Sequence, residues 1–350
     1  MDKNNIRIEW VDIAKCLCII TVIFSHSDFT NSTISRFYVP FFLNVFFFCS
    51  GYTYRIKNNF KEYFKRKIET LMVPWLVYGL FNIFLSALIS FNNHADIKEE
   101  LIWFILQIRG KNDKLWFLST LFLASILLYF VIEYISKALD TKHSLTKVIV
   151  VIGILGIISN LYLVLINSDI YPWQSAHLPW HIELLMPYLF MMLLGYAFRS
   201  FYENYFDKIN TYKYILVMLL TYVILIIVKG MIFNNEIVNV FINFVIQVIG
   251  VFLIVAICKK MRMNKCIAFI GQNSIIYYAL HGKVLSILQT VLNKVIGYRY
   301  ELVLNNVALS ILTGLMIVLL ILIILIIPIL FINRFLPFTI GKKRVVKKEC

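Results

Sequence analysis

Ten apolar segments run through this chain, near residues 13–30, 37–54, 70–91, 115–136, 147–167, 181–198, 213–233, 237–257, 267–291 and 303–332. Each is close to the length a helix needs to cross about 30 Å of hydrocarbon. Inside a bilayer the backbone must satisfy its own hydrogen bonds, and segments this long do so as helices, not as the shorter strands of a barrel. The composition agrees: 60% of the 350 residues are hydrophobic and 15% are charged, far from the proportions of soluble domains. The sequence predicts an all-α integral membrane protein, a bundle of about ten transmembrane helices. No solenoid-period repeat and no Pro/Gly/Ser-rich linker divides the chain. Residues 1–350 read as one domain, ending in a basic tail over 334–350.

A net charge of +15 raises the question of a nucleic-acid partner, and its placement answers it. With a cytoplasmic N-terminus, the inward-facing segments hold 25 of the 34 Lys and Arg residues. That bias sets both termini inside by the positive-inside rule and accounts for most of the net charge without nucleic acid. The first apolar stretch has no small-x-small cleavage site after it, so it reads as a retained span and not as a signal peptide. The six cysteines fall inside apolar runs or beside basic loops, which implies no disulfide framework.

That first stretch, Asp12 to Asp28, carries Asp12, Lys15 and His26, charges and an imidazole that an inert anchor has no use for. Eleven residues separate Lys15 from His26; on a helix this is about three turns and about 16 Å of rise, returning to within about 20° of the starting direction. Ionisable groups at membrane depth face a protein interior or cavity and mark function. A neutral imidazole takes a proton from a hydroxyl near neutral pH, so His26 is the candidate general base, with Asp12 on nearly the same stripe. The second span holds Asn44 and ends in Ser50-Gly51, small residues that admit a close approach by a helix or ligand. Lys65, Arg66 and Lys67 cluster before the third span. They suit either anionic headgroups or the phosphates of a bound co-substrate. Glu183 and His181 open the sixth span below an aromatic outer loop with Tyr171, Trp173 and Trp180. His177 and His181 are four apart, but Pro179 intervenes and no third ligand is evident, so no metal is expected.

Five blocks carry a resemblance. WVDIAKCLCIITVIFSH, with ten residues between Lys15 and His26, resembles the first helix of the acyltransferase family 3 membrane proteins. PFFLNVFFFCSGY is similar to their second helix. KLWFLSTLFL (with Trp116), MPYLFMMLLGYAF and FIGQNSIIYYALHG (with His281) are similar to later elements, in order over nearly the whole chain. The resemblance leans toward the sugar O-acetylase-like branch. It implies transfer of an acyl group, usually acetyl, from cytoplasmic acetyl-CoA or another acyl-CoA to a hydroxyl of a cell-envelope glycan or lipid-linked saccharide, in a bacterial cytoplasmic membrane. No permanently bound cofactor is implied. In that reading His26 and Asp12 are catalytic, and Lys15, Arg66 and Lys67 hold the donor. Asn44, Trp116, Glu183 and His281 line the acceptor cavity. Many relatives carry Arg-x-x-Arg before the third span, where this chain has Lys67 and Thr70. Direct transfer and an acyl-histidine route are both open. The alternative is a secondary transporter relaying protons through Asp12, Lys15 and His26, although paired broken helices in two similar halves are missing from the sequence.

Overall fold

The computed structural model describes residues 7–27, 29, 32–55, 59–89, 97–111, 115–166, 176–231, 235–296 and 305–342, and contains no β-strand among them. The helices are α1 (Glu9–His26), α2 (Ser32–Thr53), and α3 (Phe60–Lys67), which runs through a π turn at Ile68–Met72 into α4 (Val73–Ile89). Next come α5 (Ile97–Leu106), α6 (Trp116–Ser136) and α7 (Thr141–Leu165). A 3-10 segment, Pro179–Leu184, leads into α8 (Leu185–Ala197), followed by a π turn and α9 (Glu203–Ile209). The chain closes with α10 (Tyr212–Met231), α11 (Glu236–Lys260), α12 (Lys265–Gln272), α13 (Ser274–Ile296), α14 (Val307–Ile324), α15 (Ile326–Phe335) and a 3-10 turn at Pro337–Ile340. Among the described residues, nine helical stretches are long and apolar enough to cross a membrane. Helix α1 is span-length at 18 residues, but Glu9, Asp12 and Lys15 interrupt its apolar run.

Several boundaries depart from the sequence expectation. The stretch between the second and third expected spans is helical from Phe60, because the Asn59 side chain accepts the Lys61 N–H at 3.0 Å and Glu62 in the first turn and Lys65, Arg66 and Lys67 in the last suit the helix dipole. The expected span 267–291 is two helices. Asn273 ends α12, its side-chain amide donating to the Phe269 carbonyl at 2.8 Å. Helix α5, too short to span, was not expected; its Phe104 lies flat on Trp75, ring centroids 4.4 Å apart. Gly79 permits this contact, since a Cβ there would overlap the Phe104 ring.

The chain divides into two compact units: Met1–Cys49, Asn204–Phe233 and Ile242–Ile329 form one, and Ser50–Glu203, Asn234–Phe241 and Leu330–Cys350 the other. In the first, α12, α13 and α14 pack on α1, whose Val11, Ile13, Cys18, Ile19, Val22 and Ile23 are buried. Small residues allow the approach: a Cβ at Gly271 of α12 would overlap the Asp12 carbonyl oxygen. Polar ties reinforce it. Ser310 Oγ donates to the Phe29 carbonyl at 2.6 Å, and Tyr277 Oη to that of Leu322 at 3.1 Å.

In the second unit, Gly51 meets the backbone of Met192 so closely that a Cβ would overlap its carbonyl. The Ser-Gly step thus serves a helix crossing. Helix α7 buries Gly153 and Gly156 against Phe190 and Pro187 and exposes Val150, Val151, Ile154 and Ile158. Small residues toward the protein and branched apolar ones away from it are the pattern of a lipid-facing helix. The C-terminal turn ends at Gly341, whose φ of +67° favours glycine, and packs on Glu69 and Thr70.

Candidate functional site

In the first unit the imidazoles of His26 and His281 meet. Their ring centroids are 5.0 Å apart at an interplanar angle of 63°. His26 is the last residue of α1 and is exposed. Its Nδ1 lies 2.8 Å from the Val22 carbonyl. A carbonyl only accepts, so Nδ1 carries the hydrogen and the basic lone pair belongs to Nε2. His281 repeats the arrangement, with Nδ1 at 2.8 Å from the Tyr278 carbonyl and 3.1 Å from that of Tyr277, and is 5% exposed. Nothing lies within 4 Å of a Cβ built on Gly282, so the chain beside His281 borders open space. The pair thus offers a base whose tautomer its own helix fixes.

Asp12 and Lys15 stand at the other end of α1. Asp12 is 4% exposed and ion-paired with Arg7, a partner the sequence reading left out. It sits about 20 Å along the axis from His26, so it does not touch that imidazole. Lys15 is half-buried. Asn44 is buried on α2 and donates to the Pro40 carbonyl one turn back at 2.7 Å, which satisfies one amide hydrogen inside its own helix.

The remaining predicted residues belong to the second unit. Arg66 is exposed at the end of α3, and Lys67 is half-buried with Nζ 5.5 Å from the centre of the Tyr63 ring. Thr70, at the position where many relatives carry a second arginine, donates its hydroxyl to the Arg66 carbonyl at 2.8 Å. It supplies no charge there.

Trp116 and Glu183 come together through the segment 177–184. The Trp116 ring packs on His181, centroids 4.7 Å apart, and lies 6.2 Å from Tyr188. Glu183 is buried. Its Oε2 accepts the Leu178 N–H at 3.0 Å, its Oε1 accepts from His177 Nδ1 at 2.7 Å, and His181 Nδ1 lies 3.6 Å from the same Oε1. The sequence shows two histidines four apart with Pro179 between them, and the structure sets Glu183 beside both. Trp180 and His181 adopt left-handed backbone, φ 59° and 52°, within this segment. The signal available was three ligand-type side chains within seven residues, His177 to Glu183. Tyr171 and Trp173 lie outside the described residues.

A helical chain with nine helices long and apolar enough to span a membrane among its described residues, and with His26 of α1 packed on His281 of α13, is a multi-pass integral membrane protein with a built polar site. The chain belongs to acyltransferase family 3: the family model described as an acyltransferase domain matches residues 8–333. No curated protein and no solved structure gives a comparable match. The match covers α1 through most of α15 and makes the protein a membrane acyltransferase, which displaces the transporter alternative.

Proposed function

We propose that the protein is an O-acyltransferase of the sugar O-acetylase-like branch. It moves an acetyl group from cytoplasmic acetyl-CoA to a hydroxyl of a cell-envelope glycan or lipid-linked saccharide, with His26 as general base. The observation that carries the reading is the geometry of His26: exposed at the end of α1, its Nδ1–H spent on the Val22 carbonyl at 2.8 Å, and its Nε2 left as the basic position. In the step itself, Nε2 removes the acceptor hydroxyl proton as the oxygen attacks the thioester carbonyl. The carbon–sulfur bond breaks, and the imidazolium returns the proton to the leaving thiolate. His281 packs on the ring and holds its orientation. Lys15 meets donor phosphates from the cytoplasmic side, and Arg66 and Lys67 serve the same charge class on α3. The pantetheine arm spans roughly the 16 Å that the helix rise puts between Lys15 and His26.

The test is purified protein with acetyl-labelled acetyl-CoA and an envelope glycan fraction. Label moving to the glycan as a base-labile ester is the expected result. Label remaining in CoA, with neither transfer nor slow hydrolysis, contradicts the reading. Burst kinetics distinguish direct transfer from passage through an acyl group on Nε2.

A further inference from the structure

We infer that His177, His181 and Glu183 form a site for a divalent transition-metal ion of the zinc type. All three residues lie in the second compact unit. Each offers one ligand atom, and those atoms lie within 4.8 Å of one another. Around a zinc ion with bonds of about 2.0–2.2 Å, ligand atoms stand about 3.3 Å apart. The observed separations from Glu183 Oε1, 2.7 Å to His177 Nδ1 and 3.6 Å to His181 Nδ1, bracket that value, so small side-chain rotations complete the site.

The surroundings are those of a ligand set. The Leu178 N–H holds Oε2 at 3.0 Å and leaves Oε1 to the imidazoles, as a hydrogen bond behind a ligating carboxylate does. Ser159 Oγ donates to the Glu183 backbone carbonyl and fixes the residue from α7. His181 is fully buried, at 0% exposed, and Trp116 covers its ring. Burying a carboxylate requires compensating positive charge. Both imidazoles face the Glu183 carboxylate, and a divalent cation between the three groups supplies that charge. The left-handed backbone at Trp180 and His181 is a local cost of the kind that recurs at ligand clamps. Two imidazoles and one carboxylate match the ligand preference of zinc and its neighbours and not that of calcium or magnesium.

The test uses the full-length protein in detergent, stripped with chelator and reloaded. Zinc retained after gel filtration should be about one equivalent per chain, and cobalt(II) should give the visible d–d absorption of a bound ion. Glu183→Gln keeps the shape and an acceptor for His177, and it should lower zinc affinity at least about tenfold. Zinc should raise the thermal midpoint of the wild type and not that of Glu183→Gln. Wild-type protein that holds less than about a tenth of an equivalent and shows no cobalt spectrum overturns the inference. So does equal zinc binding by the wild type and a His177→Ala/His181→Ala variant. The cobalt measurement on the wild type decides even where the variants fail to fold.

Discussion

His26 closes α1, exposed, with its Nδ1 on the Val22 carbonyl, and the base role proposed for it rests on that geometry. Its contact with His281 was not legible, since it depends on how α13 packs against α1. Nor was the Asp12–Arg7 pair, because the chain before α1 carries no pattern that fixes where Arg7 points. Lys15 is the sharpest test of donor binding among the basic residues, being half-buried on the helix that ends in His26. A charge-assisted contact to phosphate is worth about 1.5–3 kcal/mol, so Lys15→Ala should raise KM for acetyl-CoA roughly 10- to 150-fold and leave KM for the acceptor little changed. Arg66→Ala should act in the same direction, less strongly and with more salt dependence, because Arg66 is exposed. Equal changes in both KM values would assign these charges to topology or lipid contact.

Elements were read well where a long apolar run decides the period, and poorly where a side chain decides an end. Nothing in the hydropathy marks Asn273 as the break between α12 and α13; its amide does that by bonding the Phe269 carbonyl. The basic stretch before α4 hid a helix because charge alone resembles a loop, while Asn59 supplied the cap. The glycines of the motifs have an element-scale explanation. A Cβ at Gly271 would overlap the Asp12 carbonyl, whereas one at Gly282 meets nothing within 4 Å. Gly271→Ala should therefore separate α12 from α1 and destabilise the protein by about 1–3 kcal/mol. Gly282→Ala, in an open helix position, should be neutral or stabilising by up to about 1 kcal/mol. Thermal midpoints of the two variants in detergent, followed by tryptophan fluorescence, compare them directly, and equal midpoints would contradict the close α1–α12 crossing.

For the whole molecule, the hydropathy pattern announced the membrane bundle, and the family match extends over residues 8–333, through both compact units. The division into units was not legible, because the boundaries fall inside helices, at Cys49–Ser50 within α2 and at Glu203–Asn204 within α9. The orientation expected from charge asymmetry has its own test. In a cysteine-free background, a cysteine at Lys61 should react with impermeant maleimide only after the inner face is opened, and one at Asn235 should react in intact cells. Lys343, a third position of interest, lies outside the described residues. The central claim is that this fold presents His26 as the base for acyl transfer. The most direct measurement compares the acetyl-transfer rate of purified wild-type and His26→Ala protein matched for yield and gel-filtration profile. The expected result is a fall of about 10²–10⁴-fold at unchanged insertion. A well-folded His26→Ala protein that keeps more than about a tenth of the wild-type rate would contradict it.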